Sequence, residues 1–445
     1  MKRLYSNKQL VKLLLPLVIE QLLMVLVGMA DVLMVATLGE TAVSGVALVD
    51  SLNNLLLQVL FALTAGGTVI CARFIGKKDK DNAVRAGGQL LFITLSSLTL
   101  IMVLLLIGNR GILSLIFGQV ETSVMDNAAL YMIFTALSLP FLAIYHSVAA
   151  IFRATARTKV SMLMSLFMNL LNILGNALCI FGLKMGVEGV GIPTVLSRIV
   201  GALVILSILQ KKDNSLRIKT ISFLAPDGKM LKRILSIGIP NSVESSIFNL
   251  GKLILQSLVS AMGTPSIAAF AVASNLVTYL YLPGNALGAG LLIIVGQCYG
   301  AGEFDQARYY MKKLLAVNYA VLLIVGSGMY AICHSLVGIY SLTGLSARLA
   351  YSLVISHIFA MILWPMAFLV PYYFRAIGRA TFTMVVAIVT MWVFRIGFAW
   401  IFVRMLNINV MGIWYAMYAD WVCRVIVYII AFSRDKKKSR IETAT

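Results

Sequence analysis

The chain has 445 residues, 60% of them hydrophobic and only 12% charged, with a formal net charge of +20. Soluble domains run near roughly 45–50% apolar and about 25% charged, so an ordinary water-soluble domain is excluded. Apolar runs of about 20 residues or more recur from end to end, each long enough to cross roughly 30 Å of hydrocarbon as a helix. They lack the strict alternation of barrel strands. The expected fold class is an all-α polytopic membrane protein.

In chain order the runs predict twelve transmembrane helices, at about 12–37, 44–74, 87–108, 124–152, 161–183, 189–210, 231–260, 266–299, 311–333, 349–376, 382–404 and 411–433. The N-terminal MKRLYSNK is basic. The apolar run behind it is too long for a signal peptide and no small-residue cleavage site follows, so it is expected to remain as the first span.

The first span reads PLVIEQLLMVLVGMADVLMVATLGE, and between Leu13 and Leu38 its ionisable residues are Glu20 and Asp31. An ionised carboxylate at that depth costs about 2.5–3.5 kcal/mol on insertion scales, so Asp31 is expected to face protein or water. A neighbouring Lys or Arg would make it structural. The first half offers little to pair with there, which favours exchange of a proton or a sodium ion. Three helical turns separate Glu20 from Asp31, which puts both on one face with Met24 and Gly28 between them.

On the second span Asp50, Asn54 and Gln58 form a polar stripe that either faces a cavity or packs. On the fifth, Asn169, Asn172 and Asn176 recur at i, i+3 and i+7 in FMNLLNILGNALCIF. Such a stripe is either interhelical hydrogen-bond glue, about 0.6–2 kcal/mol per contact, or a set of amide oxygens that completes a cation site at Asp31. The seventh span carries Glu244 and Lys252, rotated from one another by roughly 80° and free to find partners on other helices. Arg395 lies in the eleventh span, and on the twelfth Asp420 and Arg424, four apart, are expected to pair with each other. Prolines at 16, 140, 240, 283, 365 and 371 bend or shape their helices. Soft methionines near the site, Met24, Met29 and Met34, would suit varied apolar ligands.

The N-terminal Lys2, Arg3, Lys8 and Lys12 together with alternate connections, from Arg73, Lys77 and Lys78 through Arg153, Arg157 and Lys159 to the tail RDKKKSR, hold 29 of the 37 basic residues; the opposite connections hold four, Arg110, Lys184, Arg348 and Arg404. The positive-inside rule then puts both termini in the cytoplasm. A charge spread over every cytoplasmic loop fits topology and anionic lipid headgroups, and nucleic acid is not an expected partner. The five cysteines and three histidines are scattered, with no CxxC or Cys/His spacing, so neither a disulfide nor a structural metal is expected. There is no Walker glycine loop and no GxSxG, so ATP-driven pumping and membrane hydrolysis lack their machinery, and no enzymatic activity is expected.

The chain repeats itself. At a constant shift of 224, Pro16 falls on Pro240, Glu20 on Glu244, Gly39 on Gly263 and Gly76 on Gly300. FRATARTKVSM (152–162) matches FRAIGRATFTM (374–384) at a shift of 222. Six spans per half give parallel repeats about an axis along the membrane normal, an arrangement used by secondary transporters with alternating access. The expected organisation is an N-terminal lobe over 1–210, a cytoplasmic linker over 211–230 with the turn Pro226-Asp227-Gly228, a C-terminal lobe over 231–434, and a basic tail over 435–445.

The first-span stretch above with its continuation TAVSGVALVDSLNNLL, the second-half opening GIPNSVESSIFNLGK, the stretch VGQCYGAGEFDQAR and the paired FRA motifs resemble MATE (multidrug and toxic compound extrusion) antiporters, nearest to their bacterial DinF-like branch. The resemblance covers almost the whole chain. It implies a monomeric transporter of the bacterial inner membrane that exports organic, often cationic, small molecules against protons or sodium, with no other cofactor. It also implies a coupling site of Asp31, Asn172, Asn176 and Thr194, with Pro16 as the hinge of the first helix. Members of this type carry a second acid where Asn176 stands; the amide halves the site's charge, weakens the case for sodium at Asp31 and favours a proton. Some relatives also carry an acid on the tenth span, where this chain reads ILWPMAF. Glu20, Asp50, Asn54, Gln58, Glu244, Lys252 and Met24 are the candidates for the substrate cavity. The alternative function is a flippase for a lipid-linked precursor, whose phosphates would call for basic residues such as Lys252 and Arg395.

Overall fold

Ser6 starts the first helix with a reciprocal cap: its Oγ accepts from Gln9 N at 3.3 Å, and Gln9 Oε1 accepts from Ser6 N at 2.8 Å. That satisfies two of the four amide donors a helix start leaves free. The structure, a computed structural model, describes residues 3–118, 120–211 and 225–442, with side chains to 435. Most of the expected linker 211–230, including Lys212, Arg217 and Lys219, and most of the basic tail 435–445 lie outside the described residues or side chains.

The elements of the first half are α1 (Asn7–Ala36), α2 (Glu40–Gly76), α3 (Lys80–Ile107), the short α4 (Asn109–Phe117), α5 (Thr122–Ala154), α6 (Thr158–Ala177, continued by a π-helical turn Leu178–Gly182) and α7 (Glu188–Gln210). Those of the second half are α8 (Gly228–Ser260), α9 (Thr264–Gly300), α10 (Phe304–Ile339), α11 (Gly344–Ala360), α12 (Pro365–Ala376), α13 (Ala380–Met405, with π-helical turns) and α14 (Met411–Glu442). Among the described residues, ten helices are long and apolar enough to cross a membrane, or eleven if α11 and α12 count as one broken span. The expected seventh span falls on α8, whose serines, asparagines and charges make it less apolar than the rest. The tenth span, expected over about 349–376 with Pro365 and Pro371 inside it, is broken: α11 and α12 meet at 68°. Pro365 opens α12 there and can neither donate to the preceding turn nor fit its carbonyl.

Among the described residues two units of the chain pack internally, one within Tyr5–Ile239 and the other from Pro240, the latter taking in Arg3 and Leu4. The repeat is visible element by element. Helices α2 and α9 each run for 37 residues and each starts after a glycine of positive φ, Gly39 at 97° and Gly263 at 84°. A side chain is disfavoured in that backbone conformation, so the repeated glycine is a backbone requirement.

The core of the first unit is built by Val46, Leu60, Leu98, Met132 and Leu139, with a second cluster of Val148, Ile151, Phe152 and Ile205. In the other unit Leu276, Leu353, Trp364, Met391, Trp414 and Trp421 are buried together. Gly284 sits where an added Cβ would come within 2.1 Å of the Trp364 ring, so the bare backbone makes room for the indole. Large apolar side chains such as Leu33, Leu203, Leu323 and Phe359 stand exposed, as lipid-facing surface requires.

Candidate functional site

Helices α1, α6 and α7 meet around one chain of polar side chains. Asn176 Nδ2 donates to Asp31 Oδ1 at 3.1 Å and lies 3.4 Å from Asn172 Oδ1; Asn172 Nδ2 donates to Thr194 Oγ1 at 3.1 Å. Thr194 closes the chain on its own helix by donating to the Val190 carbonyl at 2.8 Å. The spacing explains the convergence: Asn172 and Asn176, one turn apart, present both amides to the same side of α6. Asn176 is 1% exposed and its Oδ1 has no hydrogen-bond partner among the described residues. A buried acceptor left open in this way costs about 1–3 kcal/mol, so it is held there by the rest of the network.

Two side chains that the sequence reading passed over complete the surroundings. Arg198, one turn beyond Thr194 on α7, lies within electrostatic reach of both Asp31 and Asp50 and donates to Ser138 Oγ. Tyr131 on α5 donates its hydroxyl to Asp50 Oδ1 at 3.4 Å. The first half therefore does offer a cation at this depth, contrary to the expectation above. The signal was present in TVLSRIV, where Thr194 and Arg198 share a face at i and i+4. Arg198 and Asn53 also line a small pocket with Leu60, Leu98 and Leu139.

The remaining expected residues are distributed otherwise. Asn54 and Met24 are exposed, and Gln58 is half-buried. Pro16 is buried inside α1. Glu20 is not part of the chain around Asp31: Arg153 Nη1 approaches its Oε1 at 3.3 Å and Ser161 donates to its Oε2 at 3.2 Å. In the other unit Glu244 has the same kind of partner, Arg375 Nη2 at 2.7 Å, and Arg375 Nε donates to Thr383 Oγ1 at 3.4 Å. The two triads are related by the repeat, residue for residue.

The charges of the second unit lie apart from these. Arg424 Nε and Asp420 Oδ1 form the expected pair at 2.7 Å, and Arg395 Nη1 stands 3.7 Å from Asp420 Oδ2. Lys252 projects over the Phe248 ring, 5.0 Å from its centroid, and Arg395 lies 5.3 Å from the same centroid. Tyr281 hydrogen-bonds His357 Nε2 at 2.6 Å and stacks on Trp364, which stacks on Phe368. Among the described residues no cluster of His, Cys, Asp and Glu could hold a metal ion.

Against known proteins, the MatE family model matches residues 16–178 and again 240–401, once in each half. An uncharacterized transporter of Bacillus subtilis, YisQ, is 26% identical over 93% of this chain and 91% of its own. A probable multidrug resistance protein of Thermotoga maritima, NorM, is 24% identical over 98% of this chain and 94% of its own. Among solved structures, a MATE protein in its bent conformation superposes with a TM-score of 0.90 at 21% identity, over 98% of this chain and 97% of that one. An outward-facing multidrug resistance MATE family transporter gives 0.89 at 20% identity, covering 98% and 97%. At these identities the superpositions speak for the fold.

Proposed function

Because the chain belongs to the MatE family, we propose that it is a multidrug exporter that works by alternating access, moving amphipathic organic compounds outward against an inward proton carried by Asp31. The observation that carries this reading is the polar chain itself: a single carboxylate, Asp31, held through Asn176 and Asn172 to Thr194, with Asn176 Oδ1 left open. A carboxylate accepts and needs a donor; a carboxylic acid donates and needs an acceptor. The Asn176 amide supplies both. Its NH2 serves the ionised acid, and half a turn of the amide would present Oδ1 to the protonated one. Protonation then reverses a hydrogen bond instead of breaking it, and the reversal is felt on α6 and α7.

A second carboxylate in place of Asn176 would suit sodium; one acid and one amide suit a proton. Asp31 and Asp50 outnumber Arg198 in this unit, which favours cationic amphipaths as cargo. The names of relatives, among them a multidrug export protein of Staphylococcus aureus, support the same direction. The protein works as a monomer in the bacterial cytoplasmic membrane, with both termini inside and no cofactor beyond the coupling ion.

Efflux of a fluorescent organic cation from vesicles tests this. A pH gradient alone should drive it and a sodium gradient alone should not; the opposite result would overturn the proton assignment. One observation favours a second reading, a flippase for a lipid-linked precursor: Lys252 has no ion-pair partner among the described residues. Scrambling of a headgroup-labelled lipid in the same vesicles, without dye efflux, would select it.

A further inference from the structure

The second unit carries more positive than negative charge inside its helices. Between Lys252 on α8, Arg395 on α13 and Arg424 on α14 there is one acid, Asp420. Arg424 takes its close bond, Nε to Oδ1 at 2.7 Å, and spends a second donor on the Ala387 carbonyl at 3.3 Å. Arg395 is left with a longer approach of 3.7 Å, and its Nε, in a side chain only 10% exposed, has no hydrogen-bond partner. Lys252 has no acid at all within ion-pair distance among the described residues, and it lies within electrostatic reach of Arg395. Two cations at membrane depth repel each other and leave donors open. Charges in that setting pair with a partner of opposite sign or mark a path for one.

The aromatic surroundings define the rest of the ligand. Phe248 lies beneath both cations, at 5.0 and 5.3 Å. Trp364, Phe368 and Tyr281 form a stacked series in the same core cluster, which also holds Trp414 and Trp421. Those tryptophans are packed core, so the ring an apolar or aromatic body would meet is the half-buried Phe248 that the cations share, while the cations take a head with at least two acceptor oxygens. Phe248 also holds the cations by their attraction to its face, which keeps them poised while the site is empty of an anion.

We propose that Lys252 and Arg395, seated on Phe248, form an oxyanion-binding site that takes the carboxylate or phosphate of an amphipathic organic anion. Lys252 is the exposed, flexible arm that closes on the anion; Arg395 is the buried, fixed partner whose Nε has no acceptor. Asp420 limits the pull of Arg424 and leaves the open charge at the end of the cluster that Lys252 occupies. The cargo of this transporter would then include anions and zwitterions beside the cations proposed above. The inference rests on the export reading only for its meaning in transport, since binding needs no gradient.

The five tryptophans, at 364, 392, 400, 414 and 421, all belong to this unit, so energy transfer from tryptophan to a dansyl probe is weighted toward ligands bound there, and the Lys252 variants localise it. With the full-length protein in a neutral detergent, dansylglycine, a carboxylate, should give saturable transfer. Dansylcadaverine, its amine counterpart, should bind at least tenfold more weakly to this unit. Lys252→Gln should weaken dansylglycine about 10–100-fold, the worth of one charge-assisted hydrogen bond, and Lys252→Arg should keep most of it. Lys252→Glu should invert the preference between the two probes, a change that a merely misfolded protein would not give. Two arms separate the sources of the anion. Competition by phosphatidylglycerol nanodiscs, but not by phosphatidylcholine ones, assigns a lipid headgroup; retention of dansylglycine in both assigns a soluble amphipath. Unchanged dansylglycine affinity in Lys252→Gln, or an unchanged preference between the two probes in Lys252→Glu, would overturn the site. Loss of dye efflux with intact dansylglycine binding would count against the export reading alone.

Discussion

Asp31→Asn removes the exchangeable charge while keeping the shape of the side chain and its place beside Asn176. In the folded protein Asp31 Oδ1 accepts one bond from Asn176 Nδ2 at 3.1 Å, and an amide oxygen can accept the same bond. Exchanging a charge-assisted bond for a neutral one forfeits about 1 kcal/mol, while the several-kcal/mol penalty of an ionised acid at this depth disappears. The variant should therefore reach the membrane at normal levels with unchanged or raised thermal stability. Its transport should fail for a different reason. One pH unit is worth about 1.4 kcal/mol per proton, enough at one proton per substrate molecule to hold roughly a tenfold concentration ratio. An ion shifts an alternating-access equilibrium only through differential affinity for its two states, and a site that cannot bind the proton has none. In vesicles with a pH gradient of one unit and no membrane potential, the native protein should build that ratio, and Asp31→Asn should stay near unity. A purified Asp31→Asn variant that still built most of the gradient would refute the assignment and make Asp31 a structural acid.

Asn176→Asp should raise the sodium dependence of efflux, measured as the sodium concentration for half-maximal rate, because it restores a second carboxylate beside Asp31. Glu244→Gln should lower the melting temperature by several degrees, since it strands Arg375 in a pair whose side chains are 14% and 12% exposed; breaking such pairs costs about 3–5 kcal/mol, and the double variant with Arg375→Gln should recover part of it. Asp420→Asn should reduce the folded yield by leaving Arg424 and Arg395 without their acid, while transport per folded molecule stays largely intact. Reporter fusions after residue 220 should read cytoplasmic and those in the 261–265 connection extracellular, and the reversed pattern would sink the assigned orientation.

Much of this architecture could be read from the chain, because membrane spans announce themselves by local apolar length and the repeat by simple superposition of the two halves. Gly39 and Gly263 were matched by sequence alone and prove to open two helices of equal length with the same positive φ. The break of 68° between α11 and α12 was less legible: Pro365 and Pro371 marked the region without saying which would interrupt the helix, or by how much. The site was legible where partners sit one turn apart, as with Asn172 and Asn176, or Asp420 and Arg424. Pairs that bridge distant segments were not. Glu20 and Arg153 stand 133 positions apart, and nothing local in either span points to the other. Arg198 was missed for a related reason: one basic residue in an apolar helix looks like noise until the fold brings α7 to α1.

The repeat also shows how one duplicated frame can carry two different sets of charges. Glu20 and Glu244 correspond at a shift of 224, Arg153 and Arg375 at 222, and Ser161 and Thr383 at the same 222. One charged triad is thus kept in both units, at 3.3 and 2.7 Å. Farther along the same helices the correspondence fails residue by residue. Asp31 answers to Leu255 and Lys252 to Gly28; Asn176 answers to Phe398 and Arg395 to Ile173. Each unit has gained its own charges where the other kept apolar or small side chains: acids and amides in the first, cations over aromatic rings in the second. A charge at membrane depth is too costly to survive as a passive relic of duplication. The triads are what two halves of one frame need in common. The roles proposed above, proton exchange at Asp31 and recognition of an oxyanion at Lys252 and Arg395, both fall on these divergent charges.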